Sequence, residues 1–195
     1  MKLNFRKTGT GKPLVILHGL FGSADNWMSI AKGLEENYTL YLLDQRNHGD
    51  IAPRPYPVHH QTILEGLNAV DIKNLSSRKE AEDKLTEYIS ERGVRQFLLK
   101  NLTRKEGAFA WKINLPVITK QIENVGEEIT SDKPFSGPAL FMGGANSDYI
   151  KSSDKEDIEN LFPDNHIIHI KNTGHWLHAE QPEAVVATLN AFLGT

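Results

Sequence analysis

His175, in "NTGHWLHAEQPE" (172–183), has the surroundings of a general base. It stands in a Gly-flanked loop between an apolar run and a helix-like run. There a ring is held by a strand end and can still reach a nucleophile. A second stretch, "HGLFGS" (18–23), leaves one apolar run directly and opens a helix. Such turns present backbone N–H groups to an anion, so the Leu20 N–H can donate in an oxyanion hole. The same residues would also make a plain Gly turn between strand and helix. "GGANSDYI" (143–150) ends a third apolar run. Its Asp148 can orient and stabilise a protonated His175, and Asp50 in "GDIAP" is a second residue for that task. Either can instead form an Asx turn or a helix cap. His178 reads as a packing or hydrogen-bonding residue. The pair at 59–60 and "HIIH" (166–169) lack a metal-ligand pattern and read as structural.

These residues need a scaffold, and the apolar runs supply one. "LVILH" (14–18) and "YTLYLL" (38–43) are continuous apolar stretches, as strands buried on both faces are. Between them a helix is predicted from about Asp25 to Glu36, capped by Ser23 or Asp25. "ALFMG" (139–143) and "HIIHI" (166–170) are two further strands, with a Ser-capped helix in "SSDKEDIENLF" between them. A final helix follows in "QPEAVVATLNAFL", with Pro182 in its first turn. The middle of the chain, 57–130, reads as helices. Ser77 and Glu80 form a capping box there, and "GAFAWKINL" (107–115) is a short hairpin arm. The layout is α/β, a mostly parallel sheet divided by a helical block.

The whole chain fits one domain. It has 195 residues, 39% apolar and 24% charged, with net charge −3. No basic stripe points to nucleic acid. No apolar run approaches the ~18–20 residues that span a bilayer, and "MKLNFRKTGTGKP" is not a signal peptide. There is no cysteine, which excludes a thiol nucleophile and fits a reducing, cytoplasmic compartment. The residues call for no cofactor and no metal.

Taken in order, "VILHGLFGSADNW", "LLDQRNHG", "DIAP", "GVRQFLLKNL", "FAWKINLPVI", "ALFMGGANSDYI" and "TGHWLHAEQPE" resemble the α/β-hydrolase superfamily. The likeness is to the small bacterial esterases of the YbfF type and their mitochondrial relatives. It implies an α/β-hydrolase-like sheet with helices on both faces, and residues 57–130 as a helical cap over the pocket. It implies a Ser–His–Asp triad acting on small carboxylic esters or acyl thioesters, in a monomer or dimer. His175 matches the catalytic histidine, Asp50 the acid this subgroup uses, and Asp148 the acid position of most of the superfamily. His18, Gly19, Leu20 and Phe21, with Trp176 beside His175, match the oxyanion and substrate-binding surface.

One part of the resemblance is missing. The superfamily carries its nucleophile in Gly-x-Ser-x-Gly on a strand-to-helix turn, and no such pattern occurs in this sequence. In relatives, "RNHG" and "DIAP" lie about sixty residues apart, roughly two βα units; here Gly49 is bonded to Asp50. The expected fold therefore lacks its central nucleophile strand region. Ser23 and Ser147 do not sit on an elbow, so the expectation is an inactive hydrolase or a binding module derived from one. Loss of two strands would open ~10 Å in the sheet at ~4.8 Å per strand. The expected outcomes are a re-closed smaller sheet, strand exchange between chains, or poor stability.

Overall fold

The computed structural model describes residues 4–44, 60–122 and 131–194. The chain divides into two compact units: residues 1–18, 24–44 and 128–195 form the first, and residues 19–23 with 45–127 form the second. The Gly49–Asp50 join and Asp50 itself lie outside the described residues, as do residues 57–59 and 123–130 of the block read as helices.

In the first unit, β1 (Phe5–Thr8), β2 (Lys12–Leu17) and β3 (Tyr38–Leu43) form a sheet in the order β1-β3-β2. β2 runs parallel to β3, with Leu14 opposite Leu40 and Ile16 opposite Leu42. β1 runs antiparallel to β3 and was not anticipated from the sequence. A 3-10 turn (Ala24–Trp27) and α1 (Met28–Leu34) connect β2 to β3, which completes the predicted βαβ unit. α1 itself begins at Met28 without a side-chain cap, and Asp25 meets Arg6 at 2.5 Å.

Later in the same unit, β6 (Ala139–Gly144) and β7 (Asn165–Ile170) pair in parallel around α6 (Lys155–Leu161). α6 also starts without a side-chain cap. Its flanking Asp154 accepts the Lys151 N–H at 2.8 Å and closes a 3-10 turn over Ser152–Asp154. α7 (Leu177–Glu180) and α8 (Pro182–Leu193) finish the chain, with Pro182 in the first turn of α8 as expected.

The core of this unit lies on one face of the three-stranded sheet. Ile30, Ala31 and Leu34 of α1, Leu40 and Leu42 of β3 and Val185 of α8 are buried together. Full burial of each such side chain contributes roughly 1.5–3 kcal/mol. α1 and α8 approach closely because Gly33 has no side chain; a Cβ there would lie 2.8 Å from Val186. Side chains alternate along β2, so Val15 and Leu17 point away from this core, and they are 57% and 55% exposed. The expected re-closed sheet does not form among the described strands: β2 and β6 remain in separate ladders.

The second unit holds α2 (Gln61–Ala69), α3 (Arg78–Thr86), α4 (Arg92–Leu99), the antiparallel hairpin of β4 (Leu102–Lys105) and β5 (Ala108–Trp111), and α5 (Leu115–Gln121). Leu64, Leu67, Leu85, Leu98, Leu99 and Ile118 form its core. Here the sequence reading is corrected. The block read as helices also holds a first hairpin strand, because residues 102–105 find partners in 108–111. The capping box also slips by one residue. Ser77 Oγ accepts the Glu80 N–H at 3.2 Å, but the Glu80 carboxylate accepts from Ser76 N and Oγ at 2.8 and 2.7 Å. Those hydrogen bonds, the Ser76 hydroxyl foremost, hold the Glu80 carboxyl below its ordinary value. Among the described residues, no helix is long and apolar enough to cross a membrane.

Candidate active site

The loops that leave β6 and β7 are tied to each other. Ala145 N donates to Ile170 O and Asn146 N to Thr173 O, both at 2.9 Å. Thr173 is fully buried, and its hydroxyl donates to Ile170 O at 2.8 Å. Gly144 allows this approach, because a Cβ there would sit 2.0 Å from Gly174 O. Asn172 adopts φ 58°, and the Gly174 N–H donates to the Glu180 carboxylate at 2.9 Å. The loop carrying His175 is thus fixed from three sides: the β7 end, the β6 loop and α7. A histidine meant to move protons needs such a fixed base.

His175 stacks on Tyr149 with centroids 4.0 Å apart and planes 26° from parallel, and meets the Trp176 ring edge-on at 5.5 Å. Trp176 lies 6.1 Å from His178, which stacks on Trp27 at 4.8 Å. His178 therefore packs, as expected. Tyr149 was not singled out in the sequence. The contact brings together residues 26 apart from two different βα loops, so no local pattern encodes it. The only local hint was an aromatic beside Asp148.

Asp148 sits next to Tyr149, yet its carboxylate turns outward. Its side chain is 95% exposed and it pairs with Lys151 Nζ at 3.6 Å. An exposed pair of this kind contributes little. Among the described residues, no hydrogen bond joins Asp148 to His175. Ser147 accepts the Tyr149 N–H on its Oγ at 3.3 Å and forms part of a turn, not an elbow. The described residues contain no cluster of His, Asp or Glu that could hold a metal ion.

The turn after β2 has its own signature. His18 is buried in the first unit, and Leu20 and Phe21 are buried in the core of the second. Gly22 N donates to Gly19 O at 2.9 Å. Phe21 adopts φ 57°, a left-handed conformation that costs a bulky L-residue roughly 1–2 kcal/mol. Asn101, itself buried, donates to Phe21 O at 2.8 Å, and His60 meets the Phe21 ring edge-on at 6.0 Å. Strain held in place by packing and a buried hydrogen bond is characteristic of functional turns. The sequence pointed to the Gly residues; it did not reveal that a phenylalanine carries the strained angle.

Known proteins share this arrangement of strands and loops. The model for the alpha/beta hydrolase fold matches residues 12–61. The sn-1-specific diacylglycerol lipase ABHD11 of Danio rerio is 30% identical over 255 residues, covering 97% of this chain and 80% of that protein. The chain belongs to the α/β-hydrolase fold family. Within that family it is similar to esterase YbfF of Escherichia coli, 28% identical over 259 residues and spanning 99% of each protein. A solved marine microorganism esterase is 36% identical and superposes with a TM-score of 0.93, covering 98% of this chain and 99% of that one. The aligned length with YbfF, 259, exceeds the 195 residues of this α/β-hydrolase chain. At least 64 aligned positions therefore carry no residue of this chain.

Proposed function

We propose that this chain derives from an esterase of small carboxylic esters or acyl thioesters, and that it keeps the proton-handling part of that chemistry without a serine nucleophile. In a complete enzyme of this kind a serine oxygen attacks the acyl carbon while a histidine takes its proton. The histidine then protonates the departing alcohol or thiol, and water repeats the cycle on the acyl-enzyme. His175 is the proposed base and acid. The observation that carries this is the fixed loop of His175, held by the β6 loop, buried Thr173 and Glu180.

Asp50 is the proposed orienting acid. Asp148 is the weaker choice, because its side chain turns into solvent. The strained turn at Phe21 supports an oxyanion role for residues 19–21. Residues 57–130 are the proposed cap, within a single hydrolase domain. No Gly-x-Ser-x-Gly exists to supply the attacking oxygen. A base and its orienting acid cannot replace that oxygen.

Hydrolysis of p-nitrophenyl acetate, compared with His175→Ala, tests the reading. The two proteins are expected to give the same slow background. Turnover that disappears in His175→Ala would contradict the absence of a nucleophile. A second reading, a binding module that keeps the pocket, predicts that an ester analogue raises the melting temperature without being consumed.

A further inference from the structure

A cleft of about 520 Å³ opens in the second unit, and it shares no residue with the His175 set. Four cationic side chains line it: Arg78, Lys100, Arg104 and Lys112. No carboxylate belongs to its lining among the described residues. The chain as a whole carries net charge −3, so this cluster does not follow from a generally basic surface. A concave surface lined by one sign of charge concentrates counter-ions.

Arg78 and Arg104 are held in place. The Arg78 guanidinium donates through Nη1 to Leu99 O and through Nη2 to Leu102 O, which ties the start of α3 to the α4–β4 junction. An arginine has five N–H donors, so three remain for a ligand. Arg104 lies over the Phe109 ring at 4.4 Å and donates to Gly107 O at 3.2 Å. Both planar groups are therefore fixed before any ligand arrives, and a fixed guanidinium fork matches phosphate oxygens. Hydroxyls complete the lining. Ser77 Oγ accepts the Glu80 N–H, which leaves its own proton to donate, and Thr103 lies on the β4 side. Glu80, the acid behind the cleft, is already engaged by Ser76 N and Oγ.

We propose that this cleft binds a phosphate-bearing small molecule, its phosphomonoester or pyrophosphate group taken by Arg78, Lys100, Arg104 and Lys112. The recognising chemistry is a compact, multiply charged anion with oxygens on several sides. A soluble phosphoester and the headgroup of a phosphate-monoester lipid both present it.

Calorimetric titration of the full chain with inorganic pyrophosphate at low salt tests the first source. Flotation with phosphatidylcholine vesicles, with and without phosphatidic acid, tests the second. The account predicts saturable 1:1 binding of pyrophosphate that weakens by about tenfold in Lys100→Gln/Arg104→Gln. Both residues are exposed, so the variant should keep its circular dichroism spectrum and melting temperature. Removing two distant cations, in Lys32→Gln/Lys171→Gln, should leave the affinity unchanged. Binding only to vesicles containing phosphatidic acid, lost in the same double variant, would identify the lipid headgroup as the source. Absence of binding in both arms, or equal binding by the cleft variant, would overturn the proposal.

Discussion

The two faces of the β1-β3-β2 sheet differ sharply. On one, Leu14, Ile16, Leu40 and Leu42 meet α1 and α8, and Leu40 and Leu42 are fully buried. On the other, Val15 and Leu17 of the same strand are more than half exposed. The residue types are alike on both faces, so hydrophobicity alone does not distinguish them. The difference lies in what the chain provides to cover each face. The covered face has its helices in residues 28–34 and 182–193, close to its strands in sequence or at the chain end. The other has apolar side chains suited to burial and no described element upon them. This contrast matches the alignment, in which YbfF has at least 64 positions with no counterpart here.

Substitutions can break or sharpen that comparison. The largest effect is expected at Leu40→Ala, which empties a fully packed site and should cost about 2–5 kcal/mol in denaturant unfolding. Leu17→Ala, the same change on the other face, should cost within about 0.5 kcal/mol. Equal losses at the two positions would mean that Leu17 is covered in solution. Next is Gly144→Ala. Its methyl group would meet Gly174 O, so a loss of about 1–3 kcal/mol is expected, together with a shift of the His175 ring resonances. Asn101→Ala should follow at about 1–3 kcal/mol, because Phe21 O would be left buried without its donor.

The smallest effect is a pH response at the start of α3. Glu80 titrates below its ordinary value, so its contribution is present above the unfolded-state pKa and is lost as pH falls through the lowered folded one. Wild-type helicity should therefore fall as the pH drops below the ordinary glutamate value, through the range where Glu80 takes up its proton. Glu80→Gln should show no such fall from this cap, as read by circular dichroism.

Much of the framework was legible in residue patterns. β3 matches its predicted bounds, β6 and β7 differ by one residue at one end, and β2 differs by one or two residues at each end, because long apolar runs bounded by Gly or Asp leave few alternatives. β1 escaped notice because Phe5 is its only large apolar residue; its place is set by pairing with β3, some 35 residues away. β4 escaped for a similar reason, since "LTRK" has one large apolar residue and its place is set by pairing with β5. At the site, the Gly-flanked loop identified His175. Its stacking on Tyr149 and the strained angle at Phe21 depend on contacts between separate loops, which spacing cannot reveal. Charge behaved likewise: Arg78, Lys100, Arg104 and Lys112 look like scattered surface residues until the hairpin folds beside α3 and α4.

A fluorophosphonate probe tests the central claim most directly, because it reacts covalently with a serine that is activated as a nucleophile. After the intact mass has confirmed the 195-residue chain, the probe is predicted to leave that mass unchanged, with wild type and His175→Ala alike. One stoichiometric adduct on a serine of the wild type, absent from His175→Ala, would show that the chain assembles a working nucleophile after all.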